Sequence, residues 1–338
     1  MNIPYRTRQW LKIVAVIALI VTIVASVVWL CWFIWLKRYV VYTRDGAKLD
    51  FSISAKVPEG NTAKQPVKES VSIFYNEGDD AIHVGKELIQ LTGFYADRSA
   101  LIDGIDGVRE QAKRLKRGAP IMLDVKSALG NFFYSSSVSE HRDTKVDIEA
   151  MDQLIKDLHK DGFYLIARVP ALRDRMYGLN NVNDGIFDTR GAYLFRDDGG
   201  CYWLNPKRQN VMLYLVQTAQ ELKSLGFDEV VFDFFDFPDT KYMRFDGDKA
   251  EALTEAAQTL VTSCATDGFA VSFIQNPGFT LPDGRTRLYI KDAAAADATY
   301  LAQQSGLSDT AVNLVFITEN HDTRFDAYGV LRPIDTAE

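Results

Sequence analysis

Leu225-Gly226-Phe227-Asp228-Glu229-Val230-Val231-Phe232-Asp233-Phe234-Phe235-Asp236-Phe237-Pro238 runs from a glycine stop into a short, otherwise apolar strand that closes on an acid. An ionised carboxylate buried in mid-strand is costly, so Asp233 is expected where the strand meets solvent or substrate. In α/β barrels that end of the strand is where the chemistry sits.

The same grammar recurs along the chain. A helical pattern closes with Gly-Phe and passes directly into an apolar strand at Gly162-Phe163 before Tyr164 to Val169, and again at Gly268-Phe269 before Ala270 to Gln275. A variant, Arg117-Gly118-Ala119-Pro120, leads into Ile121 to Val125. Glycine supplies the left-handed conformation that ends a helix, and the Phe can fold back over its last turn. Helical spacing is legible in Ile105, Val108, Ala112 and Leu115, in Ile148, Met151, Ile155 and Leu158, and in Val211, Leu215, Ala219 and Leu222. Strands that read as nearly continuous apolar runs are expected to be parallel and covered on both faces. With a first strand near Leu91 to Tyr95 and a late one at Val312 to Ile317, the series predicts an α/β fold, a (β/α)8 TIM barrel over residues 89–332. A doubly wound open sheet is the alternative, and the lack of any GxGxxG or Walker sequence weakens its nucleotide-binding form.

Parallel strands share one C-terminal face. The residues gathered there are Asp97, Asp124, Lys126, Arg168, Asp233, Asp236, Gln275, Asn276, Glu319, Asn320, His321 and Asp322, a polar ring, whereas the opposite strand ends are mostly Gly, Phe and Pro. That asymmetry is what an active-site face predicts. The segment after Val169 is long and carries Arg173, Asp174, Arg175, Tyr177, Tyr193, Tyr202 and Trp203. Its aromatic content suits the wall of a cleft, and aromatic faces beside hydrogen-bonding groups suit sugar rings.

Outside the barrel, Ile13 to Leu36 contains no charged residue, 24 positions in all. At about 1.5 Å per residue it is long enough for a hydrocarbon layer of about 30 Å, and Trp10, Trp29, Trp32 and Trp35 flank it as interfacial anchors. The expectation is an uncleaved transmembrane anchor at 13–36 behind a short tail at 1–12, since the run exceeds a signal-peptide core and lacks a small-residue exit. Lys and Arg residues lie on both sides, so charge does not orient it. Residues 37–88 read as a stalk with room for one β-hairpin, from alternating runs at Leu49 to Val57 and Val71 to Tyr75. The net charge of −7 excludes a nucleic-acid footprint beyond the short Arg114-Leu115-Lys116-Arg117 run. Cys201 and Cys264 do not make a disulfide framework, and His83 has no second His or Cys at metal spacing.

Taken in order, Leu91-Thr92-Gly93-Phe94-Tyr95, Met122-Leu123-Asp124-Val125-Lys126, Tyr164 through Arg168-Val169 with Arg173-Asp174, Trp203-Leu204-Asn205-Pro206, and Gly226-Phe227-Asp228-Glu229 through Asp233 to Phe237-Pro238 resemble a bacterial family of glycoside hydrolase type. Its members are membrane-anchored or secreted, their activity is largely inferred, and the resemblance implies a TIM barrel more firmly than a reaction. It covers residues 90–240. The family commonly has Arg where this chain has Asp236, and acids where it has Ser127-Ala128-Leu129. In place of its Asp-rich fifth strand and Pro-Met-x-Tyr-Pro strand stand Ser272-Phe273-Ile274-Gln275-Asn276-Pro277 and Asp297-Ala298-Thr299-Tyr300-Leu301.

Glycoside cleavage normally uses two carboxyls, one donating a proton to the leaving oxygen and the other attacking the anomeric carbon or activating water. Asp233 is the expected nucleophile or base; the structural alternative is an ion pair with Arg168 or Lys126. Glu319 is the first choice for its acid partner, with Asp124 and Asp236 behind it. Lys126, Arg168, Asp174, Tyr202, Trp203, Asp236, Gln275 and His321 are the expected substrate-binding side chains, although Tyr202 and Trp203 could equally cap the core. No cofactor or metal is called for. The expectation is an extracytoplasmic, membrane-anchored glycoside hydrolase acting on an oligosaccharide or polysaccharide; the alternatives are a catalytically inactive carbohydrate-binding barrel in envelope assembly and a non-glycosidic barrel hydrolase.

Overall fold

The strand that opened the reading, Glu229–Asp233, lies in the middle of a closed sheet. In the computed structural model, which describes residues 88–334 together with positions between 14 and 32 and the strands Val40–Thr43 and Gly46–Leu49, eight parallel strands form one barrel. They are β1 Thr92–Ala96, β2 Pro120–Asp124, β3 Tyr164–Pro170, β4 Glu229–Asp233, β5 Ala270–Ile274, β6 Leu288–Lys291, β7 Leu314–Ile317 and β8 Gly329–Pro333. Each pairs with the next, and β8 closes on β1 through Val330 opposite Thr92. Closure settles the choice between barrel and open sheet in favour of the barrel.

Strand alternation sorts the side chains. On β4, Val230 and Phe232 face the helices, whereas Val231 joins Met122, Ile166, Ile274, Tyr289, Val315 and Leu331 in the cluster that fills the barrel. Glu229 and Asp233, two residues either side of Val231, therefore share its inner face.

The helices of the first half are long: α1 Arg98–Ala112, α2 Ile148–Lys160, then, after a short α3 Arg175–Asn180 within the β3 excursion, α4 Gln209–Ser224, and α5 Lys249–Cys264. Their buried stripes follow the expected spacing, with Ile105, Val108 and Ala112 on α1, Met151, Ile155 and Leu158 on α2, and Val211, Leu215, Ala219 and Leu222 on α4. Gly162 and Gly226 adopt the left-handed conformation expected of helix stops, with φ of 78° and 96°. Gly268 does not. There α5 ends earlier, and Thr266 and Phe269 exchange backbone hydrogen bonds across a tight turn.

The second half is thinner. No helix separates β5 from β6; the chain doubles back beside the sheet, with Val271 and Phe273 N–H bonded to the carbonyls of Arg285 and Arg287. After β6 come α6 Ala298–Gln304 and α7 Thr310–Asn313, and after β7 only a 3-10 turn at Thr323–Phe325. The expected strand at Val312 thus starts two residues later, behind α7.

Cys201 and Cys264 are buried and free. Val40–Thr43 and Gly46–Leu49 form an antiparallel hairpin, inside the stalk range but upstream of the alternating runs expected to build it. Apart from Leu49, those runs and His83 lie outside the described residues, as does most of the 13–36 stretch; among the described residues no helix is long and apolar enough to cross a membrane.

A candidate active site at the mouth of the barrel

Asp233 ends β4 on the inner face, with its carboxylate opposite Lys291 at the end of β6. Lys291 Nζ lies 2.9 Å from both Asp233 oxygens, and the Phe234 N–H donates to Oδ1 at 2.7 Å. The ion pair therefore forms across the barrel, to a lysine outside the expected set, rather than to Arg168 or Lys126. The residues after the two partners carry a second mark. Phe234 and Asp292 have φ of 49° and 55°, and among the described residues they are the two non-glycine positions with positive φ. L-residues pay for that conformation, and it persists where surrounding structure imposes it, often at functional sites. Phe234 is held from three sides: the Arg173 guanidinium lies 4.9 Å from its ring centroid, Lys291 Nζ 5.1 Å, and Trp203 meets it edge-on at 6.4 Å.

Asp236 is the second acid of this loop. Its Oδ1 is buried without a hydrogen-bond partner, and its pKa is pushed up to about 6, first by burial and then by the Asp233 charge, with Lys291 pulling the other way. A carboxyl placed so is a candidate proton donor, because its neutral form persists up to about pH 6, well above the ordinary carboxylate range. The sequence reading put Asp236 among the binding residues and behind Glu319 as the acid.

Asp124 and Arg168, the inner-facing ends of β2 and β3, are engaged with each other. Arg168 Nε and Nη2 donate to the two Asp124 oxygens at 2.5 and 2.8 Å, and the Arg98 N–H adds a third bond to Oδ2 at 2.9 Å. Burial works against the Arg168 cation, but Asp124 outweighs it and Asp233 adds to the same effect, so its pKa is raised. The pair forms a polar wall beside Asp233. Glu319 is exposed and makes no hydrogen bond or ion pair among the described residues. Its negative charge acts on Tyr95, whose pKa is raised to about 12 by burial first and then by Glu319 and Asp97. His321 is also exposed, two residues further from the strand end. Gln275 donates through Nε2 to the Phe235 carbonyl, tying β5 to the β4 loop.

Four expected substrate-binding residues are turned inward instead. Lys126 and Asp174 pair at 2.6 Å with both side chains fully buried; Lys126 also donates to the Pro170 carbonyl at 3.0 Å, and Asp174 accepts from the Tyr214 hydroxyl at 3.0 Å and from the Tyr177 N–H at 2.8 Å. The reason is local. Past Asp124 the chain leaves the barrel to bridge Lys126 with Phe132, carrying the lysine off the mouth and under the β3 excursion. Tyr202 and Trp203 are buried in that excursion, where the Trp203 indole donates to Asp197 at 3.0 Å and Asp197 accepts from Arg173 at 2.6 Å. Trp203 thus braces Phe234 rather than presenting a face to solvent. The excursion does wall a cleft, but one among α3, α4 and the β2–α2 connection, with Tyr177 as its aromatic face and no strand residue in its lining.

Lys291 is the residue that sequence reasoning missed. It closes the apolar run Leu288-Tyr289-Ile290 as Asp233 closes its own, but that run is four residues long with its lysine, and no glycine-terminated helix precedes it.

Among curated proteins, none matches this sequence. Of the solved structures similar to it, a hypothetical protein from Ruminiclostridium thermocellum has 20% identity and a TM-score of 0.46, covering 53% of this chain and 96% of that one. An alpha-galactosidase from Thermus thermophilus has 12% identity and a TM-score of 0.49, covering 75% of this chain and 60% of that one. An exo beta-N-acetylglucosaminidase from Vibrio harveyi has 10% identity and a TM-score of 0.48, covering 68% of this chain; this chain spans only 41% of that enzyme's length. Residues 111–267, from the end of α1 to the turn before β5, match the family described as "Putative glycosyl hydrolase domain", so the likeness read from the sequence to a glycoside hydrolase family of TIM-barrel type is shown over the segment that carries Asp124, Arg168, Asp233 and Asp236.

Proposed function

We propose that this protein hydrolyses a glycosidic bond of an oligosaccharide or polysaccharide at the barrel mouth, with Asp233 as nucleophile or base and Asp236 as the proton donor. The observation that carries the reading is the contrast between two acids three residues apart. Asp233 has a cation against both oxygens, whereas Asp236 is half-buried, with an Oδ1 that is buried and unpartnered, and is pushed up to about 6. Glycoside cleavage asks for that division between an ionised and a protonated carboxyl. Asp124, already committed to Arg168, serves as a binding wall, and exposed Glu319 and His321 stand at the rim where a substrate chain would pass. The uncharged run Ile13 to Leu36 supports a membrane anchor that holds the barrel outside the cytoplasm, on an envelope or extracellular glycan.

A binding barrel without turnover is the second reading, and the Lys291 contact favours it, because a lysine on both Asp233 oxygens resembles a closed structural pair. Turnover of a glycan panel by the full chain, Asp233→Asn and Asp236→Asn separates the two. An enzyme loses activity in both variants while retaining ligand binding, and wild-type kcat falls as pH rises through about 6, where Asp236 loses its proton. Binding without turnover in all three proteins leaves the second reading standing.

A further inference from the structure

The cleft beside the barrel has a volume of about 540 Å³, within the range of small-ligand sites. Its floor is Tyr177 stacked on Tyr214, with ring centroids 4.4 Å apart and planes inclined by 28°. The stack is fixed from below: Tyr177 donates to Asp184 at 3.3 Å, and Tyr214 donates to Asp174, which the buried Lys126 neutralises. Four carboxamides, Asn180, Asn181, Asn210 and Gln217, line the walls. Asn181 donates its amide to the Tyr177 carbonyl at 3.0 Å and Asn210 donates to Asp184 at 3.3 and 3.4 Å, and neither side-chain carbonyl has a hydrogen bond among the described residues. Asn180 meets His141 at 3.1 Å, and Gln217 makes no hydrogen bond among the described residues. Neither lysine nor arginine lines the space, while Glu140 does.

Each feature narrows the ligand. An anion finds neither a lysine nor an arginine here and one carboxylate against it. An aromatic floor flanked by Met176 and Leu213 accepts the C–H face of a ring, and carboxamides both donate to and accept from hydroxyls. We propose that the cleft is a second, non-catalytic site that holds a neutral pyranose chain alongside the barrel. It shares the glycan class with the proposed function, but not the mouth residues, and nothing in it depends on turnover.

The test measures binding of maltohexaose, cellohexaose and the N-acetylglucosamine hexamer to the full chain by saturation-transfer NMR and calorimetry. The variants are Asn180→Ala with Gln217→Ala, and separately Tyr177→Leu. Asn180 and Gln217 are exposed, so their truncation leaves the core intact; unchanged thermal melting checks this. At least one hexamer is expected to bind, with affinity reduced about tenfold or more by the double variant and unchanged by Asp233→Asn. Cleavage of a small aryl glycoside, where it occurs, is expected to stay unchanged in the double variant. Lack of binding by all three hexamers overturns the inference, and so does binding that the cleft variants leave intact. Failure of every turnover assay with cleft binding preserved would sink the catalytic reading and leave this one in place.

Discussion

Strand β4 carries a buried acid at each end, and the two are treated differently. Glu229, at the bottom, is fully buried and saturated: Ser272 Oγ and Arg287 Nη1 donate to it at 2.5 Å, and the Tyr164 and Tyr289 hydroxyls at 3.0 Å. Arg287 also donates to the carbonyls of Val312 and Ile89 at 3.1 and 2.9 Å and to the Tyr164 hydroxyl at 3.4 Å. Asp233, at the top, has one lysine and one backbone N–H, and its neighbour Asp236 has a buried oxygen with no partner at all. A carboxylate with every lone pair occupied has nothing left for a substrate; one at an incompletely satisfied mouth does. The bottom network closes the barrel, and the top is left poised.

That contrast can be broken from either end. The largest effect is expected at the top, where Asp233→Asn should reduce kcat by about 10^4-fold while shifting thermal stability little. At the bottom the outcome should invert. Glu229→Ala leaves the Arg287 charge buried without its partner and should cost about 3–5 kcal/mol in denaturant unfolding, whatever its effect on activity. If the Asp233 variant lost as much stability as the Glu229 variant, both ends would be structural.

Lys291→Met probes the top more gently. It should lower kcat by about 10- to 100-fold and move the alkaline limb of the pH profile above 6, because Lys291 is the cation that opposes the rise of Asp236. The smallest effect is a gain. Burial raises the Asp236 pKa above the unfolded value, so the stability linked to its proton is complete below about 4 and is lost as pH rises through about 6. Asp236→Asn should therefore be more stable than wild type at pH 8 by about 1–2 kcal/mol, after allowance for solvent screening. The gain should vanish at pH 4.

Much of the barrel's first half was readable before any coordinates. Ahead of β3 and β4 an apolar stripe at helical spacing, a stop and a continuous apolar run follow one another, as at Leu222, Gly226 and Val230 to Phe232. In the second half β5 and β7 were expected near where they lie, but β6 and β8 escaped because that punctuation is missing. β6 follows β5 without a helix, α6 and α7 are seven and four residues long, and β8 is a five-residue run ending in Arg332 and Pro333. Site residues divided along the same line. Asp124, Arg168 and Asp233 could be placed on the mouth because each lies on an inner-facing strand position, where alternation decides orientation. Lys126, Asp174, Tyr202 and Trp203 lie beyond strand ends, where the path of a connection decides whether a side chain meets solvent or core.

Local chemistry, then, was enough to determine the parallel α/β class, the placement of Asp233 and the polar face around it, because helix stops, stripes and strand alternation act over a few residues, while closure of the sheet into a barrel took the tertiary structure. Which cation meets Asp233, which acid keeps its proton, and which aromatic faces a cleft were decided by tertiary structure alone. Lys291 comes to Asp233 across 58 residues of sequence, and Asp236 gains its shift from burial by surrounding elements; neither closed-barrel contacts nor desolvation has any signature in the order of the residues.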